Sequence, residues 1–345
     1  MNTIFLITGI VLLVAVTFDF MQTVFIPKGA GFLTQSITIS VALFYKLLTG
    51  NDGSNKLLDY KGLAIIVTMI TTWLTLIWFS VTFIYAFDAS SVIDGQTKEN
   101  ATFIEKLYFA GYTLSTLGLG EYQPHGKFWM VFTSIVSVTG FTIVTISITY
   151  IVPVINNIIE KITLSLQIAS MGESPEKMLI NGYDGKSFEG LSDQFSTLSS
   201  SIFRYAKNHA AYPILHHVHS SDKDENTILK LVSLDEVCTL LMYHIPEEKC
   251  MQKISLQQVR RAITFYLESL RNVKKSEEQP PPPNFDLLEE TLGIRLKNRH
   301  GDDLEKLYKK LGPRRQLLKG LIEDDGFNWQ SLKGNKFQRD MDIMV

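Results

Sequence analysis

Three stretches of the chain run almost without charge: residues 3–26 carry only Asp19, and residues 62–87 and 128–159 carry none. A helix of roughly 20 residues crosses a hydrocarbon core of about 30 Å, so this pattern predicts three transmembrane helices, the third overhanging into water. No Lys or Arg precedes the first stretch and no small-x-small site follows it, so it reads as a helix rather than a cleaved leader. Segment 32–48 is different. Its apolar residues Leu33, Ile37, Val41, Phe44 and Leu48 recur at helical spacing opposite Gln35, Thr38, Tyr45 and Lys46. Its shortness and continuous polar face favour a helix lying on the inner interface; the alternative is a fourth crossing, which would change only the side of the amino terminus.

Charge divides the chain in two. Of the 345 residues, those through Glu160 hold 16 charges, seven Lys and nine acidic with no Arg, whereas the remaining 185 hold 26 basic and 26 acidic. That balance excludes the one-sided basic field of a nucleic-acid-binding surface. Cys238 and Cys250 both fall in the charge-rich half, where reduced thiols are expected. Between the apolar stretches, residues 27–61 hold four Lys against two Asp, and residues 88–127 hold three Lys against five acids. The positive-inside rule then puts the first connector and the charged half in the cytoplasm and the amino terminus outside. The expected location is the plasma membrane.

The outer connector carries the chemistry. Thr102 and Glu105 form a capping box that predicts a helix over 103–115, followed at once by Thr116-Leu117-Gly118-Leu119-Gly120-Glu121. Alternating glycines permit backbone angles that turn successive carbonyls toward one axis, and a row of inward carbonyls is a site for a dehydrated cation. The region from about 62 to 160 resembles the pore module of the potassium channel family: outer helix 62–87, pore helix 103–115, filter 116–120 and inner helix 127–160. The motif matches the family pattern Thr-x-Gly-[Tyr/Phe/Leu]-Gly-[Asp/Glu], and Pro124 matches a proline common after it. The resemblance implies that the carbonyls of Thr116, Leu117, Gly118 and Leu119, with the Thr116 hydroxyl and Gly120 closing the filter, hold potassium ions, the cofactor expected here. Leu119 stands where the family usually has Tyr, and Leu117 where it usually has Val. Glu121 either accepts a hydrogen bond from Tyr112 or faces the outer vestibule with it.

Gly140 lies where the family often has a hinge glycine, and equally suits close helix packing; Pro153 removes a helix hydrogen bond and should bend the inner helix. Phe141, Val144, Ile148 and Val152 share one helical face, either as a cavity wall and hydrophobic gate or as packing residues. One filter per chain implies a homotetramer, because four loops close the ring. Asp19 is expensive within a span and is expected to contact a neighbouring helix rather than to pass ions.

After Glu160 the inner helix is expected to run to about Met171, with Ser174-Pro175-Glu176 starting another helix and further helices over 192–210, 226–243 and 255–274. Pro280 to Pro283 reads as a stiff break, dividing a helical domain over 161–279 from a charged helical region over 280–345. The fold class expected is an all-α membrane protein followed by a mostly helical cytoplasmic domain. Residues 182–185 lack the preceding strand and glycine spacing of a phosphate-binding loop. His216, His217 and His219, followed by Asp222 and Asp224, could bind a metal or sense protons, or form an ordinary packed turn. Lys309, Lys310, Arg314 and Arg315 read as a solvated helix face rather than a lipid-binding group.

These features predict a potassium-selective channel, not an enzyme, working as a homotetramer in a lipid bilayer without nucleic acid. The alternatives are a poorly selective cation channel and a non-conducting membrane scaffold. No span is rich in Arg, which speaks against the usual kind of voltage sensing.

Overall fold

The computed structural model describes residues 2–26, 29–270, 274–283, 285–298 and 301–333, so the predicted boundary at Pro27 and Lys28 and the end of the charged tail lie outside the described residues. The described chain is helical but for two three-residue strands: α1 (Asn2–Phe25), α2 (Phe32–Thr49), α3 (Lys61–Phe87), β1 (Val92–Asp94), α4 (Phe103–Leu114), β2 (Tyr122–Pro124) and α5 (Lys127–Ala169). There follow α6 (Pro175–Gly182), α7 (Ser192–Ala211), α8 (Thr227–Tyr243), α9 (Lys253–Ser269), α10 (Phe285–Leu292) and α11 (Gly301–Asp324). This is an all-helical membrane protein. It forms two compact units, one of the chain through Leu43 with Gly62–Ile155, the other of Phe44–Lys61 with the chain from Asn156 onward.

In the first unit α1 and α3 run antiparallel. Phe5 stacks near Phe83 at 5.9 Å between ring centroids, and Phe20 meets Trp73 edge-on at 5.0 Å. Gly9 permits the approach, since a Cβ there would lie 2.8 Å from the Ser80 carbonyl oxygen. Asp19 is 2% exposed and fully engaged: it accepts from the N–H groups of Leu33 and Thr34, the Thr34 hydroxyl and the Trp73 indole. Its carboxylate caps the start of α2, where the free N–H groups and the helix dipole favour negative charge. The expected helix contact is therefore what Asp19 makes. By length and composition α2 qualifies as a candidate span beside α1, α3 and α5, so shortness does not set it apart as the sequence reading had it.

The second unit is organised around α8, in which every residue from Thr227 to Leu241 except Ile228 is buried. A helix buried on every side belongs inside a core, and the charged Lys230, Asp235 and Glu236 of α8 are therefore paired. Ser174 caps α6 by accepting from the Lys177 N–H, with Pro175 in the first turn, as the sequence predicts. The predicted break at Pro280 to Pro283 is corrected here. Phe285, Leu288, Leu292, Leu318, Leu321 and Leu332 belong to the same core as Phe195, Val237 and Ile263, and the Pro280 and Pro281 carbonyls accept from Arg315 at 3.0 and 2.8 Å. The proline run is pinned to the domain, not a spacer between two. Arg314 and Arg315 likewise do not lie on a solvated face: Arg314 pairs with the buried Asp235, and Arg315, 2% exposed, pairs with Glu236. Both acids project from α8, which a sequence pattern cannot pair with arginines nearly 80 positions away.

Candidate functional site

The first unit frames residues 116–120 with a helix on each side and a strand at the exit. The capping box at the start of α4 forms as predicted, the Glu105 carboxylate accepting the Thr102 N–H at 2.6 Å. α4 is held to α3 by the Trp78 indole, which donates to the Leu107 carbonyl at 2.7 Å; Gly111 leaves room for that ring. Lys106, 3% exposed, points its ammonium at the carbonyls of Asp88, Ala89 and Tyr85, at 2.6, 3.1 and 3.3 Å. Tyr85 belongs to the last turn of α3 and Asp88 and Ala89 follow it, so a lysine from one helix closes the end of another beside Ser91, which also donates to the Tyr85 and Asp88 carbonyls. Beside it the Asp88 carboxylate accepts from Ser90 and, at 2.8 Å, from the indole of Trp129 on α5. Burial alone would raise the Asp88 carboxyl, but Ser90, Trp129 and Lys106 together hold it below the usual carboxylate range.

α4 ends at Leu114 with Ser115 as its cap, and its last carbonyls accept from the segment that follows: the Thr116 N–H reaches Thr113 and the Leu117 N–H reaches Tyr112, at 3.1 and 2.9 Å. Thr116, Gly118 and Gly120 then take φ of +59°, +57° and +82°, while Leu117 and Leu119 between them stay outside the positive region. The left-handed region is routine for glycine but costs a β-branched residue about 1–3 kcal/mol, so Thr116 is held there by its surroundings. All five residues are exposed in the single chain.

The exit is tied down by backbone pairing. β1 and β2 pair antiparallel with Val92 opposite Pro124, and the Gly95 N–H donates to the Glu121 carbonyl at 2.7 Å. Tyr112 does not donate to Glu121. Its hydroxyl reaches the Tyr122 carbonyl at 2.7 Å, and Tyr108, one turn earlier, meets the Glu121 carboxylate at 3.2 Å. Tyr108 rather than Tyr112 thus meets Glu121, because β2 brings the Tyr122 backbone over α4 to the Tyr112 hydroxyl.

α5 is continuous through Gly140 and Pro153. A Cβ on Gly140 would fall 2.0 Å from the Leu114 carbonyl oxygen, so in this conformation the glycine serves close packing of α5 on the end of α4. The packed face of α5 continues through Ile143, Ser147, Tyr150 and Val154. Phe141, Val144, Ile148 and Val152 lie off that face and are 65, 45, 57 and 53% exposed.

The histidines belong to the second unit. Among the described residues no three His, Cys, Asp or Glu side chains gather as a metal site requires. His219 spends both ring nitrogens on protein, Nδ1 on Asp325 at 2.9 Å and Nε2 on the Gly53 carbonyl at 2.8 Å. His217 and His209 are pushed down to about 3, chiefly by burial and then by nearby positive and imidazole groups, and His216 is lowered for the same reasons. The metal assignment to His216, His217 and His219 therefore does not fit the geometry.

Sequence reasoning missed Lys106, Asp88, Trp129 and Tyr108. Nothing in the local sequence singles out Lys106, which follows Glu105 in α4 and reads there as one of two neighbouring surface charges.

Residues 72–157 match a family model described as an ion channel. That region spans the second half of α3, α4, residues 116–120 and most of α5. Over 332 residues the chain is 28% identical to an uncharacterized membrane protein, YdjJ, of Bacillus subtilis (strain 168), covering 95% of this chain and 96% of that one. No solved structure matches the chain. The matched region and the apolar helices mark an integral membrane protein with an ion-channel-like segment.

Proposed function

We propose that the chain is one subunit of a homotetrameric potassium-selective channel whose ions pass along the carbonyls of residues 116–119. The observation that carries this reading is the left-handed backbone at Thr116, Gly118 and Gly120, placed at the end of α4 inside the region matching an ion-channel family. In a regular strand successive carbonyls point to opposite sides; reversing φ at every second residue favours turning them to one side. Rings of such carbonyls replace the hydration shell of a cation, and four chains supply the ring. The carboxy-terminal end of α4 adds a partial negative charge beside it. The exposed face of Phe141, Val144, Ile148 and Val152 supplies the cavity wall, and the stretch around Pro153 supplies the place to bend.

Leu119 supports a second reading, a poorly selective cation channel. Its aliphatic side chain is 48% exposed and has no hydroxyl to tie the segment to α4, so the tyrosine contacts at the exit carry that task.

Purified protein in planar bilayers under a potassium/sodium gradient tests the reading. A reversal potential near the potassium equilibrium value is expected; one near zero would replace selectivity with general cation conduction. An intact tetramer without current would leave a membrane scaffold. Gly118→Asp should abolish current without preventing assembly, because a side chain at φ +57° is strained whatever space surrounds it. Unchanged current in that variant would remove residues 116–120 from the ion path.

A further inference from the structure

The part of α5 that belongs to the second unit carries two apolar faces. One packs into the core of that unit through Leu164, Ile168 and Met171, with Lys161 and Ser165 buried beside them. On the opposite side Ile159 and Leu166 are 57 and 46% exposed, with Ile162 half-buried between them, and Ile155 one turn earlier is exposed as well. A helix on the surface of a globular unit turns polar residues outward, so an apolar stripe opposite the core marks a contact surface.

Lipid does not account for the stripe. At a rise of about 1.5 Å per residue Leu166 lies about 58 Å along the helix axis from Lys127, past a bilayer of about 40–45 Å with its headgroups. Glu160, next to Ile159, pairs with Arg204 of α7 at 3.6 Å and accepts from the Asn208 amide at 3.1 Å. Both side chains of that ion pair are open, which places this stretch of the helix in water rather than in hydrocarbon.

The spacing names the partner. Ile155, Ile159, Ile162 and Leu166 follow one another at steps of four, three and four, the d, a, d and a positions of a heptad. That period keeps the stripe turned toward a like helix through a slight supercoil. Ile at both a and d, or Leu at a with Ile at d, favours three or four strands over two. Closed cyclic symmetry then sets four copies of the helix parallel, each with the same face toward the axis. Ile148 and Val152 are the preceding d and a positions of the same repeat, so the stripe continues the exposed face already described on α5.

We propose that residues 155–166 of four chains form a parallel four-stranded coiled coil beyond the membrane, with Ile159, Ile162 and Leu166 as its core. The inference rests on the homotetramer proposed above and gives it a second seam outside the bilayer. The opposite face of the same segment is part of the second unit's core, so a shift of that unit is carried directly to the bundle.

The test is disulfide bridging in the full-length protein in nanodiscs, with the oligomer mass read on the same sample by native mass spectrometry. The parent, whose Cys238 is buried and Cys250 half-buried, supplies the background. Under mild oxidation Ile159→Cys and Leu166→Cys, both at a positions, should run mainly as bridged dimers on non-reducing gels. Gln167→Cys, exposed but turned away from the seam, should stay at the level of the parent. A tetramer bridged at 159 and 166 but not at 167 is the expected result. Bridging as strong at 167 overturns the seam. An intact tetramer with no bridging at 159 or 166 also overturns it and leaves the channel reading standing, whereas a monomer removes both. Bridging that appears only after deletion of residues 334–345 would make the chain's own tail the occupant of this face and overturns the bundle equally.

Discussion

Gly140 and Leu114 share a space that holds one atom too few for any other residue. The Leu114 carbonyl oxygen lies where a Cβ would stand, 2.0 Å away, so Gly140→Ala must push α5 off the end of α4 or displace the start of residues 116–120. Over-packing of this kind costs about 1–3 kcal/mol. The expected outcome is a lower thermal unfolding midpoint of the detergent-solubilised protein; an unchanged midpoint would mean that the two helices are not held at this separation. Asp19 shows the same economy with opposite chemistry. A carboxylate costs roughly 2.5–3.5 kcal/mol on insertion scales, but four donors converge on this one and no apolar residue could cap α2 in its place.

At the scale of elements, the frame around residues 116–120 depends on charged side chains that tie one helix to the next. Lys106 of α4 caps three carbonyls at the end of α3, and Asp88 just beyond α3 holds Trp129 of α5. Lys106→Met keeps the length and apolar stem of the side chain but leaves those carbonyls without their ammonium. Hydrogen bonds to charged groups are worth about 1.5–3 kcal/mol, so thermal stability should drop by a corresponding amount and exchange at the end of α3 should rise. A variant as stable as the parent would show that water serves these carbonyls equally well. A spacing of three residues signalled the capping box of α4 in advance, because both partners lie within one turn. Nothing comparable signalled the Lys106 cap, whose partners lie 17 to 21 positions away across a loop.

Across the molecule, the second unit gathers segments far apart in the chain. Residues 44–61 join the chain from Asn156 onward, and the proline run lies on the core, held by Arg315. Arg315 also pairs with Glu236 at 2.9 Å, with side chains 3 and 5% exposed, and stacks over Tyr308 and Trp329. Removing one partner of a buried pair leaves the other charge uncompensated, at a cost of about 3–5 kcal/mol. Arg315→Met should therefore destabilise the unit and open residues 274–283 to proteinase K, and Arg315→Met with Glu236→Leu should recover much of the loss. Equal resistance to proteolysis in the single variant would return the proline run to the role of a free spacer.

The hydropathy pattern alone determined that the chain is a helical membrane protein with a charge-rich helical half. It also located the capped helix and the residues 116–120, because spans, caps and glycine spacing are local properties of neighbouring residues. Only the tertiary structure decided what the isolated charges do. Asp19, Asp88, Lys106, Asp235, Glu236, Arg314, Arg315 and His219 each look like an anomaly or a solvated group in the sequence. Each is instead hydrogen-bonded or ion-paired by partners that folding brings from another segment, since a charge withdrawn from water must find a partner wherever the chain places one.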